Sequence, residues 1–357
     1  MIKEYCFTDE WFDYFKKQNE HIKIDKLILE KMIFALHLLE RLKKHELDFV
    51  FKGGTSLVLL LSESKRFSID IDIICKEERN KLENIFDGIV LDSKFHEWQL
   101  EERRSYKEGV PKAHYKFFYE SENRGGGSIL LDVLIEDTMY PDIISVPISS
   151  KWIEIEEEIL VNIPSIDCIV GDKLTAFAPN TIGIPYEKSG QSTSMEICKQ
   201  LFDLSSLVDR IKDVKLVSRT YHLFAEKEIA YRQNELLISD TLSDTINTCL
   251  TIAKRGNGSE LEKANFNKLQ NGIKAFKSFL MSGVFRLDEA IAASARVAYI
   301  AAKLLHNNLS PLEKYDNQDI STMLINDPEW NFINRLKRLP DKSAFFYYYK
   351  TYSIMKT

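Results

Sequence analysis

Three carboxylates and one glycine turn carry the chemistry that this 357-residue chain could perform. In Ser68-Ile69-Asp70-Ile71-Asp72-Ile73-Ile74 the aspartates alternate with isoleucines, which is the two-residue period of a strand. Asp70 and Asp72 therefore project from one face. Two carboxylates held side by side on an apolar strand repel unless a cation offsets the repulsion. Just upstream, Leu47–Phe51 reads as a strand that ends in Gly53-Gly54-Thr55-Ser56 and turns into a helix over Thr55–Ser62. The double glycine lets the backbone approach a ligand with no Cβ in the way. Thr55 and Ser56 place hydroxyl and N–H groups at a helix N-terminus, a natural phosphate site. A third carboxylate, Asp132, stands alone in the apolar strand Ile129–Ile135, where an aspartate needs a partner. It reads as the completion of the site, or alternatively as a strand-edge residue paired with an arginine. Hard oxygen ligands beside a phosphate cradle suit Mg2+ and equip a protein for phosphoryl or nucleotidyl transfer.

An α/β segment must position these groups. A capped helix is expected over residues 8–20 and a longer one over 24–44, where Leu27, Ile28, Met32, Ile33, Leu36, Leu39 and Leu42 recur at helical spacing. Ser68–Cys75 is the second strand, followed by a charged helix from Glu77 to Asp87 or Ile89 and a variable region around Asp92. His114–Tyr119 and Ser128–Ile135 read as strands of a hairpin joined by the glycine-rich Ser121–Gly127. Extended stretches follow around Ile143–Ile148 and Ile159–Ile163. Ser165 is placed as the N-cap of a helix over Ile166–Phe177, which Pro179 stops. Asn180–Ser194, rich in Gly, Pro and Ser, is the expected mobile loop. From Met195 onward the pattern is nearly all helix, broken at Gly256-Asn257-Gly258 and ending in an aromatic tail that packs against a helix. The expected fold class is α/β (α+β). A mixed, strongly twisted sheet with helices spans residues 1–165, and a mainly helical domain over 166–357 closes the cleft.

Composition sets the class: 44% hydrophobic, 29% charged, with no apolar run near the roughly 20 residues that span a bilayer. The acidic, aromatic N-terminus is no secretory signal, and five scattered cysteines without C-x-x-C spacing argue against a disulfide framework or structural zinc. The expectation is a cytoplasmic protein with no membrane span. The net charge of −6 is unevenly spread: residues 1–209 hold 26 Lys and Arg against 38 Asp and Glu, and residues 210–357 hold 22 against 16. An acidic half that binds metal, joined to a basic half, suits a polyanionic partner. The seven histidines show no ligand spacing, and none is assigned.

Gly53-Gly54-Thr55-Ser56-Leu57 followed by Arg66-Phe67-Ser68-Ile69-Asp70-Ile71-Asp72 resembles the AbiEii/AbiGii nucleotidyltransferase toxins of abortive-infection systems, within the polymerase-β-like nucleotidyltransferase superfamily. The family's lone strand aspartate matches Asp132, its helix lysine matches Lys173, and its K-D-x-x-D-L element matches Lys199–Leu204, with Gln200 in place of the usual aspartate. The resemblance covers residues 45–210. It implies that Asp70, Asp72 and Asp132 hold Mg2+, with Asp132 completing the metal site or acting as general base. It implies that Gly53, Gly54, Thr55, Ser56, Arg66 and Ser68 line the phosphates, that Lys173 neutralises phosphate charge, and that Lys199 and Asp203 flank the nucleotide. It also implies an NTP substrate, an RNA (tRNA-like) or protein hydroxyl as acceptor, and a cognate antitoxin. Simpler readings stand beside these: an i,i+4 surface ion pair for Lys199 and Asp203, a solvated Lys173, and an Arg66 that braces Asp70 or Asp72. At the level of function, the alternatives are an antibiotic-modifying type of small-molecule nucleotidyltransferase and a nucleotide-binding module without turnover.

Overall fold

The alternation of apolar and polar residues along the central strands builds a sheet with one buried and one half-open face. In the computed structural model, which describes all residues except 21, 23, 24, 62–64, 103–110, 122–125, 233, 234 and 357, seven strands form one mixed sheet. They are β1 (Val50–Lys52), β2 (Ile71–Cys75), β3 (Phe95–Leu100), β4 (Lys112–Tyr119), β5 (Gly127–Ile135), β6 (Ile143–Pro147) and β7 (Leu160–Pro164), in the order β3-β4-β5-β2-β1-β7-β6. β2 runs parallel to β5 and β1 parallel to β7, and the other neighbours are antiparallel. Along β4, Ala113, Tyr115, Phe117 and Tyr119 are buried while His114, Lys116 and Phe118 are half-buried. β5 repeats the pattern, with Ile129, Leu131 and Val133 inside.

The buried face is covered by α2 (Lys26–Lys44) and α4 (Arg79–Asp92), with α1 (Asp9–Gln18) beside them. Thr8 caps α1 and Asp25 caps α2, the latter accepting from the Leu27 N–H at 2.7 Å. Aromatic rings fill the interface: Phe34 stacks on Tyr119 at 3.7 Å, and Phe86 stands edge-on to Tyr115 and Phe117. The predicted start of the long helix at Ile24 lies outside the described residues, as does most of the Ser121–Gly127 connection. The variable region after Asp92 is instead the edge strand β3, with Phe95 buried and Glu97 and Gln99 exposed. The chain divides into two compact units, one of Met1–Ser165 with Phe279–Gly283, the other of Ile166–Ser278 with Val284–Thr357. Residues 279–283 join the first unit through a bridge of Leu280 to Arg66, flanked by hydrogen bonds from the Phe67 N–H to the Phe279 carbonyl and from the Met281 N–H to the Lys65 carbonyl.

The second unit is helical: α5 (Ile166–Ala176), α6 (Ser194–Val208), α7 (Val214–Arg232), α8 (Ile238–Ala253), α9 (Glu260–Phe276), α10 (Leu287–Leu305) and α11 (Ser343–Met355). The aromatic tail is α11, whose Tyr348 hydroxyl bonds Ser294 of α10 and donates to the Cys249 carbonyl of α8. The expected Ser165 cap is not formed, because its hydroxyl is buried without a partner. Asp167, in the first turn of α5, accepts from the N–H groups of Lys212 and Asp213, just before α7. Part of the expected mobile loop is a small hairpin, β8 (Glu187–Lys188) with β9 (Gln191–Ser192). Its lead-in is anchored by Arg232, which donates to the Thr181 and Gly183 carbonyls, and by Asp244, which accepts from Asn180 and Thr181. All five cysteines are free and buried, and among the described residues no helix is long and apolar enough to cross a membrane.

His37 of α2 makes the first unit sensitive to acid. It is 3% exposed among Phe7, Phe34 and Phe95, and its Nδ1 lies 3.7 Å from the Glu40 carboxylate. Burial lowers its pKa below the usual 6.5, against the attraction of Glu40. The neutral ring is therefore favoured in the fold, while the unfolded chain takes up a proton at 6.5. Stability is complete above 6.5 and falls as pH drops below it, by at most about 1.4 kcal/mol per pH unit for one proton. Melting curves at pH 7.5 and 5.5 should show a lower midpoint at pH 5.5, and His37→Phe should reduce that difference.

Candidate active site

β1 feeds directly into α3 (Gly53–Leu60), and the junction requires glycine. Gly53 has φ +77, a left-handed value that disfavours any Cβ. A Cβ there would also strike the Asp72 carboxylate, whose Cγ would lie at 2.8 Å. At Gly54 a Cβ would meet the Arg66 guanidinium and the Ser68 hydroxyl. The glycine turn, the RFS segment and the second aspartate of DxD therefore pack against one another.

The hydroxyls of the turn are used within the protein. Thr55 Oγ1 lies 2.9 Å from Ser68 Oγ and 2.6 Å from the Asp70 carbonyl, to which it donates, and Ser56 Oγ donates to the Gly53 carbonyl at 2.8 Å. Both residues are buried, so what this turn could offer to an anion is its backbone N–H groups at the start of α3 rather than these hydroxyls. Arg66 is also buried and donates to the Phe67 carbonyl at 2.7 Å. Asp70 lies just before β2 and is exposed, while Asp72 is within β2 and half-buried.

Register then brings the third carboxylate in. Asp72 pairs with Asp132 across the parallel β2–β5 junction, Asp132 with His114 across β5–β4, and Asp72 with Lys52 across β2–β1. Residues paired this way share a face, so Lys52, Asp72, Asp132 and His114 form one row across four strands. Two neighbouring anions are flanked by a lysine and a histidine. His114 Nδ1 lies 2.6 Å from Asp132 Oδ1, so the partner of Asp132 is a histidine rather than the arginine of the alternative reading. With Asp132 ionised, this contact requires the proton on Nδ1. Neither Lys52 nor His114 was singled out from the sequence, yet counting back through the hairpin opposite Asp132 leads to His114.

Lys173, Lys199 and Asp203 lie in the helical unit, on α5 and α6. Lys173 is 7% exposed and donates to Asp203 at 2.8 Å and to Gln200 Oε1 at 3.2 Å. Lys173 is thus no solvated lysine, and the charge paired with Asp203 comes from α5 as well as from any i,i+4 neighbour. Gln200, the departure from the family pattern, helps to hold Lys173. Asp203→Asn removes the charge partner of a buried lysine and should cost about 3–5 kcal/mol. Chemical denaturation of Asp203→Asn and of Lys173→Met/Asp203→Leu checks this, the double variant being expected to recover most of the loss.

Asp70, Asp72 and Asp132 suit a hard divalent cation by chemistry, since all are carboxylates and two are side by side in register. Among the described residues, however, no group of three or more His, Cys, Asp or Glu side chains converges to hold a metal. The donors are present, with Asp132 turned to His114.

A mixed sheet bearing paired aspartates beside a strand–Gly-Gly–helix turn defines the class, a nucleotidyltransferase. The chain belongs to the AbiEii nucleotidyl transferase toxin family of type IV toxin–antitoxin systems, which matches residues 37–292. A nucleotide substrate and a cognate antitoxin follow from that membership. Two solved structures are similar at low identity. A proposed nucleotidyltransferase from H. pylori is 18% identical with TM-score 0.43, covering 82% of this chain and 100% of that one. An antigenic nucleotidyltransferase-like protein from Paracoccidioides brasiliensis is 13% identical with TM-score 0.36, covering 57% of this chain and 89% of that one. No curated protein matches significantly.

Proposed function

We propose that the protein transfers a nucleoside monophosphate from an NTP to a hydroxyl of a macromolecule, RNA with a tRNA-like 3′ end ahead of protein, in an Mg2+-dependent reaction of phage defence inside the cell. The observation that carries the reading is the register pairing of Asp72 with Asp132 next to a glycine turn that packs on Asp72. Asp70, Asp72 and Asp132 would hold Mg2+, which when bound supplies positive charge to the phosphate oxygens.

The chain's own groups do the rest. The N–H groups of Gly53, Gly54, Thr55 and Ser56 bind phosphate oxygens, and Arg66 and Ser68, packed against Gly54, face the same anion. Lys173, Lys199 and Asp203 of the helical unit are nucleotide contacts by their match to the family's sequence pattern. Asp132 accepts the acceptor's hydroxyl proton as the oxygen bonds to the α-phosphorus. The bond from that phosphorus to the bridging oxygen of the β-phosphate breaks, and pyrophosphate leaves with the electron pair. His114 holds the Asp132 carboxylate in place for this transfer. Catalysis is mostly positioning and charge neutralisation. The excess of six positive charges over residues 210–357 favours RNA as acceptor. Incubation with each labelled NTP, Mg2+ and either total RNA or total protein tests the reading. Label in RNA that requires Mg2+ is expected, and failure of every NTP to label either fraction would sink it.

A further inference from the structure

The face of the first unit opposite the carboxylate row contains a cavity. It has a volume of about 770 Å3 and opens between the N-terminal segment, α1, α2 and the start of β3. That volume is in the range of small-molecule sites and far larger than the tip of one side chain needs. Phe12 and Phe34, both buried, form its inner wall, and Tyr5 and Phe7 stand toward its mouth. Glu30 of α2 also lines it, and this glutamate is only 4% exposed. Among the described residues nothing hydrogen-bonds or ion-pairs with its carboxylate.

A carboxylate that lines a cavity and is not paired among the described residues is open to a cation that enters it. Lys94, also in the lining, is paired with Glu4 rather than Glu30, and its ammonium stands 4.9 Å from the Phe7 ring centroid. The rest of the lining holds aromatic faces and the carboxylates of Asp9 and Glu120, which attract a cation, beside His96 and the hydroxyls of Thr8, Ser93 and Ser121. A bare metal ion would leave the aromatic walls unused. A cation with an apolar body would use both. Most of these residues precede residue 37, outside the segment matched to the family.

We propose that this cavity binds a small organic cation, an alkylammonium of the polyamine type, with its charged nitrogen on Glu30 and its methylenes against Phe12 and Phe34. The assignment is independent of the transfer reaction, because no residue of the cavity belongs to the carboxylate row.

Calorimetric titration of the full-length protein with spermidine tests it, with 1,8-octanediol as an uncharged chain of similar length. Spermidine should bind at a single site and raise the melting midpoint, and the diol should do neither. Glu30→Gln, which keeps the shape and removes the charge, should weaken spermidine about 30-fold, the effect of truncating one partner of a buried charge pair. NMP transfer by that variant should be unchanged. Lys94→Gln, a change at a partly exposed side chain, should tighten spermidine because it removes a like charge. No binding by the wild type, or equal binding by wild type and Glu30→Gln, would overturn the proposal, the latter by showing attraction to surface charge only. If Glu30→Gln does not fold, an unchanged affinity in Lys94→Gln and in Tyr5→Ala would overturn it equally.

Discussion

Asp72→Asn should abolish nucleotidyl transfer while leaving the fold intact or slightly more stable. The loss expected is about 10²–10³-fold or more, the scale of removing one preorganised charge-stabilising group at a reacting centre. The stability change has the opposite sign for a physical reason. Asp72 and Asp132 are register neighbours on parallel strands, and adjacent strands lie about 4.8 Å apart. Two unit charges at about that separation repel by about 3.5 kcal/mol at the effective dielectric of a protein surface and by about 1 kcal/mol in water. Lys52 beside Asp72 and His114 beside Asp132 offset part of this. The amide should therefore leave stability unchanged or raise it by up to about 1 kcal/mol without Mg2+. Melting curves with and without Mg2+, read with labelled-NTP incorporation, make the check. The wild type should gain stability from Mg2+ and Asp72→Asn should gain little. A variant that retains more than about a tenth of the activity would remove Asp72 from the machinery, since even one lost general acid–base contact costs about 10²-fold.

Legibility of this site in the sequence followed the range of the interactions involved. Asp72 could be read because strand alternation is local, and the glycine turn because positive φ and close approach leave a residue-type signature, whereas Asp70, expected inside the same strand, lies just before β2. Asp132 could be read because a lone carboxylate in Ile129–Ile135 is anomalous against its neighbours. Lys52 and His114 belong to the row only through register. Lys52 reads as an ordinary strand-end lysine, and His114 as one polar residue in an aromatic strand. The hydroxyls of Thr55 and Ser56 show the converse. Their residue types suited a phosphate site, but both side chains turn inward to tie the turn to Ser68, Asp70 and Gly53.

The fold divides the same way. The period of α2 and the alternation of β4 and β5 were plain, since each buries a continuous aromatic and aliphatic face. β3 left no pattern because an edge strand packs few of its side chains: Phe95 is inside, while Glu97 and Gln99 face solvent and blunt the edge. Strand order was not legible at all. β1 has its parallel neighbour in β7, about a hundred residues on, and the 279–283 segment returns to Arg66 across more than two hundred. Such pairings are selected by the packing of the whole unit rather than by either segment.

Gly53→Ala and Gly190→Ala together separate backbone strain from site geometry. Both glycines have nearly the same dihedral, φ +77 and φ +76, so an added Cβ imposes a similar left-handed penalty on each, about 1–2 kcal/mol. Their surroundings differ completely. A Cβ at Gly190, in the β8–β9 turn, meets nothing within 4 Å, whereas at Gly53 it meets the Asp72 side chain, with Cγ at 2.8 Å. Gly190→Ala should therefore lose about 1–2 kcal/mol of stability and keep full activity. Gly53→Ala should lose at least as much stability and, because Asp72 must move, about 10²-fold or more in kcat, the scale of a 1 Å misplacement at a reacting centre. Denaturant titration and labelled-NTP incorporation on both variants provide the comparison. Equal activity in the two would mean that Asp72 can shift without consequence, and the row could not then be the centre of transfer. A selective loss in Gly53→Ala ties the glycine turn and the aspartate into one device: the turn is glycine because the carboxylate occupies the space a side chain would need.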